Sequence, residues 1–248
     1  MPNPKQRCKD IRDRFYPEHE RPTGVIHQRV MALSCPDADF LEVGCGRTGR
    51  FVRQVAPVFR AAYGIDPEIP AATREGNIQL KPGTAEHLEL PDECADLILS
   101  VDVIEHLQDP QKVFAEFLRV LRPGGRILSV TPNKMHPPLA AARLLNHRLR
   151  QTINAWATGT QPDDTFKTFY RLNTLGAFEK LARNLGLEVR SLEYISNHPE
   201  YFMFSRPCYR IAVSFERAFL SRPSFAFLRQ LIFADLQKTG PSSPLNWR

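Results

Sequence analysis

Three glycines follow an apolar segment in a pattern that can hold a nucleoside. The sequence FLEVGCGRTGRF places Gly44, Gly46 and Gly49 directly after a predicted strand and at the start of a predicted helix. Glycines at such positions allow a tight turn and a close approach of the backbone to a ligand. Asp66 ends the next apolar segment, where a carboxylate can accept hydrogen bonds from both hydroxyls of a ribose. The spacing therefore favours a nucleoside ligand over a purely structural turn.

Glu42, two residues before the first glycine, indicates the charge of that ligand. Two ligand classes use this loop geometry. Dinucleotides bring a pyrophosphate that seeks amide donors, whereas S-adenosylmethionine brings an ammonium and a sulfonium. A carboxylate attracts the cations and repels the pyrophosphate. Glu42 therefore favours S-adenosylmethionine, and an NAD(P)-dependent oxidoreductase with a Rossmann fold is the less favoured alternative.

The elements that must position these residues are strands that alternate with helices. Segments 38–43, 61–65, 77–81, 95–101 and 126–131 are short, apolar and bounded by Gly, Pro or Asp. Between them lie segments of helical periodicity, the clearest of which begins near Pro110 and ends at Pro123-Gly124. A further amphipathic helix is predicted at 24–34. The alternation predicts an α/β fold, with a parallel sheet covered by helices on both faces.

The remainder of the chain follows this core. We expect an insertion at 132–172, a helix at 174–185, a strand at 187–195, a returning strand near 200–204, and helices at 208–221 and 224–237. The prediction is a single domain. It comprises an N-terminal helical cap (1–34), a core (35–204) and a basic, aromatic helical extension (205–248), whose final residues fray.

Composition limits the classes of protein to consider. The chain has 248 residues, 42% of them apolar and 24% charged, which is typical of a globular protein with a large core. The five cysteines have no metal-ligand spacing, so we expect a reducing compartment and no metal. Without a leader or a membrane-spanning segment, the expected location is the cytoplasm. Residues 201–248 carry +5 of the net charge of +6.

Four motifs in order resemble the class I S-adenosylmethionine-dependent methyltransferases, especially the bacterial small-molecule branch. They are ExGxGxxG at 42–49, GIDPE at 64–68, GTAEHLELPDECADLILSVDVIEHLQDP at 83–110 and VLRPGGRILSVTPN at 120–133, and the resemblance spans about residues 25–200. It implies a Rossmann-like sheet of seven strands, mostly parallel, in the order 3-2-1-4-5-7-6. It also implies S-adenosylmethionine as cofactor, bound at the carboxyl ends of the first strands.

The resemblance also implies roles for individual residues. Glu42 resembles the acid that orients the methionine end, and Asp66 resembles the ribose ligand. Thr84 stands where many relatives have Asp. The residues to which the resemblance assigns cofactor contacts are Glu42, Gly44, Cys45, Gly46, Gly49, Asp66, Pro67, Thr84, Ala85, Glu86, Ser100 and Val101.

Two histidines are candidates for acid–base chemistry. Methyl transfer is an in-line displacement, so alignment can supply most of the acceleration, and a base helps where the acceptor must lose a proton. His106, in DVIEH after the fourth strand, and His136, after the fifth, are the candidate catalytic residues. His106 could instead serve only to hydrogen-bond the backbone, and position alone suggests that His136 contacts the acceptor. Glu105 is expected to be solvated or paired with an arginine. Cys45 is not expected to act as a nucleophile, because the cofactor should occupy that position.

The acceptor site is expected beneath 132–172 and 196–237, the long segments available to cover the cofactor. Their aromatic and basic residues suit a hydrophobic acceptor with negative charge: Phe166, Phe169, Tyr170, Arg171, Tyr201, Phe202, Phe204 and Arg206.

In the extension, Ile211, Phe215, Ala218 and Phe219 form an apolar stripe. This stripe favours packing on the domain. Peripheral membrane contact through 205–237 is the second interpretation, and nucleic-acid binding is the least favoured. The sequence thus predicts a methyltransferase that acts on a small-molecule or lipid-linked acceptor. A non-catalytic scaffold that binds cofactor is the other alternative.

Overall fold

The computed structural model describes residues 6, 8–143 and 167–240. Within these residues, eight strands form one sheet. They are β1 (Asp39–Val43), β2 (Ala61–Ile65), β3 (Thr73–Glu75), β4 (Ile78–Lys81), β5 (Ala95–Val101), β6 (Leu121–Pro132), β7 (Leu187–Ile195) and β8 (Leu231–Lys238). Their order is β3-β4-β2-β1-β5-β6-β8-β7. Strands β4, β2, β1, β5 and β6 pair in parallel, and β3 pairs antiparallel with β4.

The α-helices of the described residues are α1 (Lys9–Phe15), α2 (Pro22–Ala32), α3 (Arg50–Val55), α4 (Pro110–Val120), α5 (Pro137–Arg143), α6 (Leu175–Leu185) and α7 (Arg206–Phe215). Short 3₁₀ helices occupy Glu18–Glu20, Ala56–Val58, Ile104–His106, Glu200–Phe202 and Pro223–Leu228, and a π-helix occupies Glu216–Leu220. Helix α4 shows why these segments are helical. The Asp109 side chain accepts hydrogen bonds from the amides of Gln111 and Lys112, Pro110 is the first helical residue, and one apolar face is buried.

The sheet confirms the predicted fold class and adds one strand. Without β3, the order is the predicted 3-2-1-4-5-7-6. Strand β3 consists of three exposed residues, Thr73, Arg74 and Glu75, which lack the apolar pattern that identifies a strand in a sequence. It joins the edge through a tight turn at Gly76, whose φ is 59°.

Two predictions for the C-terminal part are wrong. The segment near 200–204 contains a 3₁₀ helix, and the predicted helix at 224–237 is a 3₁₀ helix followed by β8. The first six residues of β8, LIFADL, are all buried, which a half-exposed surface helix cannot accommodate. Asp235 can lie in this buried strand because the Arg126 guanidinium of β6 donates to it, with Arg126 Nε 2.7 Å from Asp235 Oδ1.

The chain divides into two compact units. The core unit comprises residues 29–132, 168–193 and 232–248, and the helical unit comprises 1–28, 133–167 and 194–231. Apolar side chains of β1, β5 and β6 fill the core unit, with Phe40, Leu97 and Leu128 fully buried. The helical unit has a cluster of its own, which consists of Cys8, Ile11, Tyr16, Met203, Tyr209 and Val213. Most of the predicted insertion, with Phe166, lies outside the described residues, as does the C-terminal end.

Candidate active site

The loop after β1 is held against the end of β2. Gly44, Gly46 and Gly49 all have left-handed backbone conformations, with φ values of 84°, 66° and 56°. The amide of Gly44 donates to the carbonyl of Ile65 over 2.8 Å, and the amide of Gly46 donates to Asp66 Oδ2 over 2.8 Å. Only glycine adopts this sequence of conformations without strain. The loop is therefore a fixed turn whose backbone lies open beyond the carboxyl ends of the strands.

The space beside the loop differs from one glycine to the next. A Cβ added at Gly44 would lie 2.2 Å from Val103 Cγ2, so a side chain is excluded there. A Cβ added at Gly46 would meet no described atom within 4 Å. The backbone at Gly46 therefore faces open space, as a surface that contacts a ligand must.

Glu42 is a buried carboxylate without a cation. Its side chain is 6% exposed, and Oε2 has no hydrogen-bond partner among the residues that the structure describes. Burial, with a smaller contribution from nearby Asp66, raises the pKa of Glu42 to about 8. Ionisation of a carboxyl group buried in this way is costly unless a cation or a donor compensates the charge. The ammonium group of S-adenosylmethionine fits this requirement, and a pyrophosphate does not.

Asp66 has a structural contact that the sequence did not indicate. Its two carboxylate oxygens accept hydrogen bonds from the amides of Gly46 and Glu68, each over 2.8 Å. The carboxylate therefore fixes the glycine loop. Each oxygen keeps a further lone pair, so Asp66 can still accept a ligand hydroxyl.

The other predicted cofactor residues follow the carboxyl ends of neighbouring strands. Pro67, Thr84 and Glu86 are exposed, whereas Ala85 and Cys45 are buried. Ser100 is fully buried at the end of β5, and its hydroxyl has no partner within the described part of the chain. Val101, the last residue of β5, is partly buried. The predicted cofactor residues thus lie together at the carboxyl ends of β4, β2, β1 and β5.

Glu105 was expected to be solvated or paired with an arginine, and both expectations are wrong. It is 5% exposed, and the Thr131 hydroxyl donates to Glu105 Oε2 over 3.0 Å. Burial, together with the nearby Asp102 carboxylate, raises the pKa of Glu105 to about 7. His106 Nε2 lies 4.0 Å from Glu105 Oε1, and this imidazole is partly exposed. The structure thus brings together a histidine and a buried carboxyl group beyond β5.

A second layer fixes Glu105 in place. Asn173 is fully buried, and its side-chain amide donates to Thr131 Oγ1 and to the carbonyl of Pro132, each over 2.8 Å. The amides of Phe169 and Tyr170 donate to the Glu105 carbonyl over 2.7 and 3.2 Å. Glu105 directly precedes His106 in the sequence, so their proximity could have been predicted from DVIEH. Thr131 and Asn173 are distant in sequence, and their contacts could not have been predicted.

His136 lies in the helical unit, on the wall of a cavity of about 590 Å³. Burial lowers the pKa of His136 to about 4, so its imidazole is neutral near pH 7. Burial and the nearby Glu42 and Asp66 raise the pKa of the Cys45 thiol to about 12, which disfavours the thiolate form that a nucleophile needs.

The apolar stripe predicted over 211–219 is largely exposed, although Ile211 and Phe215 line a cavity of the helical unit. Ile211, Phe215 and Phe219 are 70%, 56% and 43% exposed. The opposite face is buried instead, through Tyr209 and Val213. The interpretation of the stripe as a packing surface is therefore wrong for the described residues, because Tyr209 and Val213 form the buried face of this helix.

At the opposite ends of β1 and β5, the buried carboxylates of Asp39 and Asp96 both have partners. Asp39 accepts from the guanidinium groups of Arg60 and Arg122, and Asp96 accepts from Arg122 and from the amide of Asp39. Burial raises the pKa of Asp39, but the hydrogen bonds from Arg60 and Arg122 leave it below its ordinary value of 3.8. Asp96 is buried as well.

Within the described ranges, no group of three or more His, Cys, Asp or Glu side chains could hold a metal ion. None of the helices described is long and apolar enough to cross a bilayer.

Comparison with known proteins identifies relatives of this chain. A family profile described as "Methyltransferase domain" matches residues 41–129. A "Probable S-adenosylmethionine-dependent methyltransferase" of Mycolicibacterium smegmatis is 36% identical over 115 residues, which is 45% of this chain and 44% of that protein. The chain therefore matches less than half of the length of this relative. A "Ubiquinone biosynthesis O-methyltransferase" of Pseudomonas putida is 30% identical over 204 residues, covering 77% of this chain and 82% of that protein.

Solved structures show the same fold. The crystal structure of an S-adenosylmethionine-dependent methyltransferase from Mesorhizobium loti matches with a TM-score of 0.56 and 16% identity. The match covers 86% of this chain and 96% of that one.

Proposed function

The chain belongs to the class I S-adenosylmethionine-dependent methyltransferases, and from that premise we propose that it methylates a hydroxyl group of an apolar small-molecule or lipid-linked acceptor. S-adenosylmethionine, when bound, supplies an electrophilic methyl group. The observation that carries the proposal is the buried carboxylate of Glu42, whose Oε2 lacks a partner among the described residues.

In this proposal, different residues of the chain bind different parts of the cofactor. Glu42 compensates the ammonium charge of the cofactor. The backbone from Gly44 to Gly46 forms the surface on which the cofactor rests, and Asp66 holds that surface while it accepts a ribose hydroxyl. The same arrangement disfavours the NAD(P)-dependent alternative, because a carboxylate beside the loop repels a pyrophosphate.

His106 is the base that we propose for a hydroxyl acceptor. Its Nε2 is 4.0 Å from the Glu105 carboxyl group, so an imidazolium formed there gains a counter-charge once Glu105 is ionised. Glu105 acts as a positioning residue, since Thr131 holds its carboxyl group. A general base contributes about 10²- to 10⁴-fold to such reactions, and alignment supplies the remainder. His136, the other predicted candidate, lines the cavity of the helical unit, and we assign it no proton transfer.

The nature of the acceptor is inferred from two observations. The Pseudomonas relative is named for O-methylation in ubiquinone biosynthesis, and its match extends over 77% of this chain. The helical unit also combines an apolar cavity with exposed aromatic side chains on a basic segment. Peripheral contact with a membrane through 205–237 is part of this proposal, because exposed Phe side chains and Arg head groups are typical of interfacial helices.

Calorimetric titration of the full chain with S-adenosylhomocysteine and with NAD tests the cofactor assignment. We expect binding of the former only, and tighter binding of NAD would overturn the proposal. Incubation with labelled S-adenosylmethionine and a cell extract then tests the acceptor, with label expected in the lipid or small-molecule fraction. Label in the RNA fraction would contradict the acceptor class.

Replacement of the base separates catalysis from binding. His106→Gln should lower the rate of transfer about 10²- to 10⁴-fold while leaving the affinity for S-adenosylhomocysteine unchanged. An unchanged rate would exclude His106 as the base.

A further inference from the structure

The cavity of the helical unit has walls that are apolar on almost every side. Its volume is about 590 Å³, within the range of small-molecule sites in proteins. Proline, phenylalanine and leucine side chains supply most of the lining, among them Pro137, Phe202, Leu220 and Leu228. Phe202 and Phe215 both line the cavity and remain partly exposed, so they stand at its mouth.

One acidic side chain interrupts these apolar walls. Glu216 lines the cavity and is 8% exposed. The Tyr16 hydroxyl donates to Glu216 Oε2 over 2.9 Å. Because a carboxyl group has four acceptor positions, Glu216 retains the capacity to accept a hydrogen bond from a ligand. Burial raises the pKa of Glu216 to about 7, although the hydrogen bonds from Tyr16 and Ser196 oppose that shift.

The backbone at this point is also unusual. Glu216 begins the π-helix Glu216–Leu220, and both of its terminal residues line the cavity. π-Helical turns are rare, and they occur frequently at functional sites because they redirect a side chain out of the regular helical array. Here the turn lies where the carboxyl group enters a mostly apolar wall, whose other polar side chains are His136, Asn197 and Gln230.

The lining therefore selects among ligands by charge. Among the described residues around the cavity there is no lysine or arginine, and His136 is neutral. Arg217 and Arg229 act on Glu216 electrostatically but do not line the cavity, so a ligand with an anionic head would find no counter-charge in the described lining and would be repelled by ionised Glu216. We propose that this cavity binds an uncharged, largely apolar molecule with one hydroxyl or phenol group, which donates its hydrogen bond to Glu216. The sequence had suggested an acceptor with negative charge, which this cavity disfavours.

The inference concerns the helical unit by itself and deepens the proposed function, on which it rests only where the ligand is taken to be the methyl acceptor. Its test therefore measures binding and uses the full chain with the neutral dye Nile red as reporter. Decanol, decanoate and decylammonium compete with the dye at pH 8. We expect decanol to displace the dye at a concentration at least tenfold lower than decanoate. Displacement by decanoate as readily as by decanol would overturn the proposal, and so would the tightest binding of decylammonium.

Three variants locate the site. Ala212→Trp fills the cavity and should abolish binding of the dye, whereas Ser214→Trp, at an exposed position on the same helix, should bind like the wild type. Glu216→Gln should reduce the preference for decanol over decanoate severalfold. Wild-type behaviour of Ala212→Trp or an unchanged preference in Glu216→Gln would refute the assignment.

A measurement on the wild-type protein tests the same site even if a variant fails to fold. Cys208 lines the cavity, and Cys35 does not. Saturating decanol should slow alkylation of Cys208 by iodoacetamide at least threefold and leave Cys35 unaffected, as read by mass spectrometry of each peptide. Equal protection or none at Cys208 would contradict the proposal. Binding of S-adenosylhomocysteine, measured in parallel, reports on the proposed function and can fail or succeed independently.

Discussion

Strands β1 and β5 each carry buried acidic residues at or just beyond both ends. The acids at the two ends differ in their hydrogen-bond partners. At the amino ends, Asp39 and Asp96 accept hydrogen bonds from arginine side chains and from the backbone. At the carboxyl ends, Glu42 and Glu105 are as deeply buried, but no described guanidinium or ammonium group contacts either of them.

The difference separates acids that hold the fold together from acids that await a ligand. A paired buried carboxylate stabilises the native state through charged hydrogen bonds. A buried carboxylate without a cation destabilises it, and the raised pKa of Glu42 and of Glu105 records that cost. Buried acidic residues at opposite ends of the same strands therefore have two different roles, one in stability and one in ligand binding.

The largest expected effect distinguishes Glu42 from the paired acids. Glu42→Gln should weaken binding of S-adenosylhomocysteine by about 1.5–3 kcal/mol, the usual worth of a hydrogen bond to a charged group. The same variant should be at least as stable as the wild type at pH 8, because it removes a buried charge. Titration calorimetry and thermal unfolding of the apo protein measure the two quantities. A loss of stability without a loss of affinity would erase the distinction.

Asp39→Asn should give the reverse result. The substitution weakens the contacts with Arg60 and Arg122, so the free energy of unfolding should fall by about 1–3 kcal/mol. Affinity for S-adenosylhomocysteine should stay within twofold of the wild type once the protein is folded. Urea unfolding followed by circular dichroism measures the stability. Equal stability of variant and wild type would show that the amino-terminal acids are not structural.

The two ends should also respond to pH in opposite directions. Between its ordinary pKa of 4.5 and its native pKa of about 8, Glu42 keeps a proton that the unfolded chain has lost. The apo protein should therefore lose stability, by a few degrees in Tm, as pH rises from 5 to 8. Asp39, with a lowered pKa, contributes stability above pH 3.8 that is lost as the pH falls through its native pKa. Saturating S-adenosylhomocysteine or Glu42→Gln should flatten the slope at higher pH, and a slope that neither changes would assign it to other groups.

The smallest effect is expected at an exposed pair away from both ends. Arg53 and Glu75 form an ion pair on the surface, with 39% and 56% of their side chains exposed. Because water screens such pairs, Arg53→Gln should leave both Tm and ligand affinity unchanged within error. A clear loss of Tm or of ligand affinity would mean that an ion pair contributes whether or not it is buried, which would contradict the role given to burial.

The sequence predicted the features that depend on local pattern. Strands β1, β2 and β5 and the turn at Gly44 follow from apolar segments and glycine spacing, and the order of the sheet followed from the family resemblance. The predictions failed where distant residues decide the outcome. Glu105 is buried because Thr131, 26 residues later, donates to it. Strand β8 accepts an aspartate because Arg126, 109 residues earlier, pairs with it. Ile211 faces outward because Tyr209 and Val213 pack in the helical unit.

Asn173 has a consequence for how this protein could change over evolutionary time. Through its hydrogen bonds to Thr131 and Pro132, it fastens residues on both sides of the segment 133–172 to each other. The entropic cost of closing a chain segment grows slowly with its length. Insertions, deletions or exchange within 134–166 should therefore leave the sheet and Glu105 undisturbed, because Phe169 and Tyr170, whose amides donate to the Glu105 carbonyl, lie outside that range. We therefore expect this stretch of the chain to tolerate evolutionary changes of length and sequence without loss of the sheet.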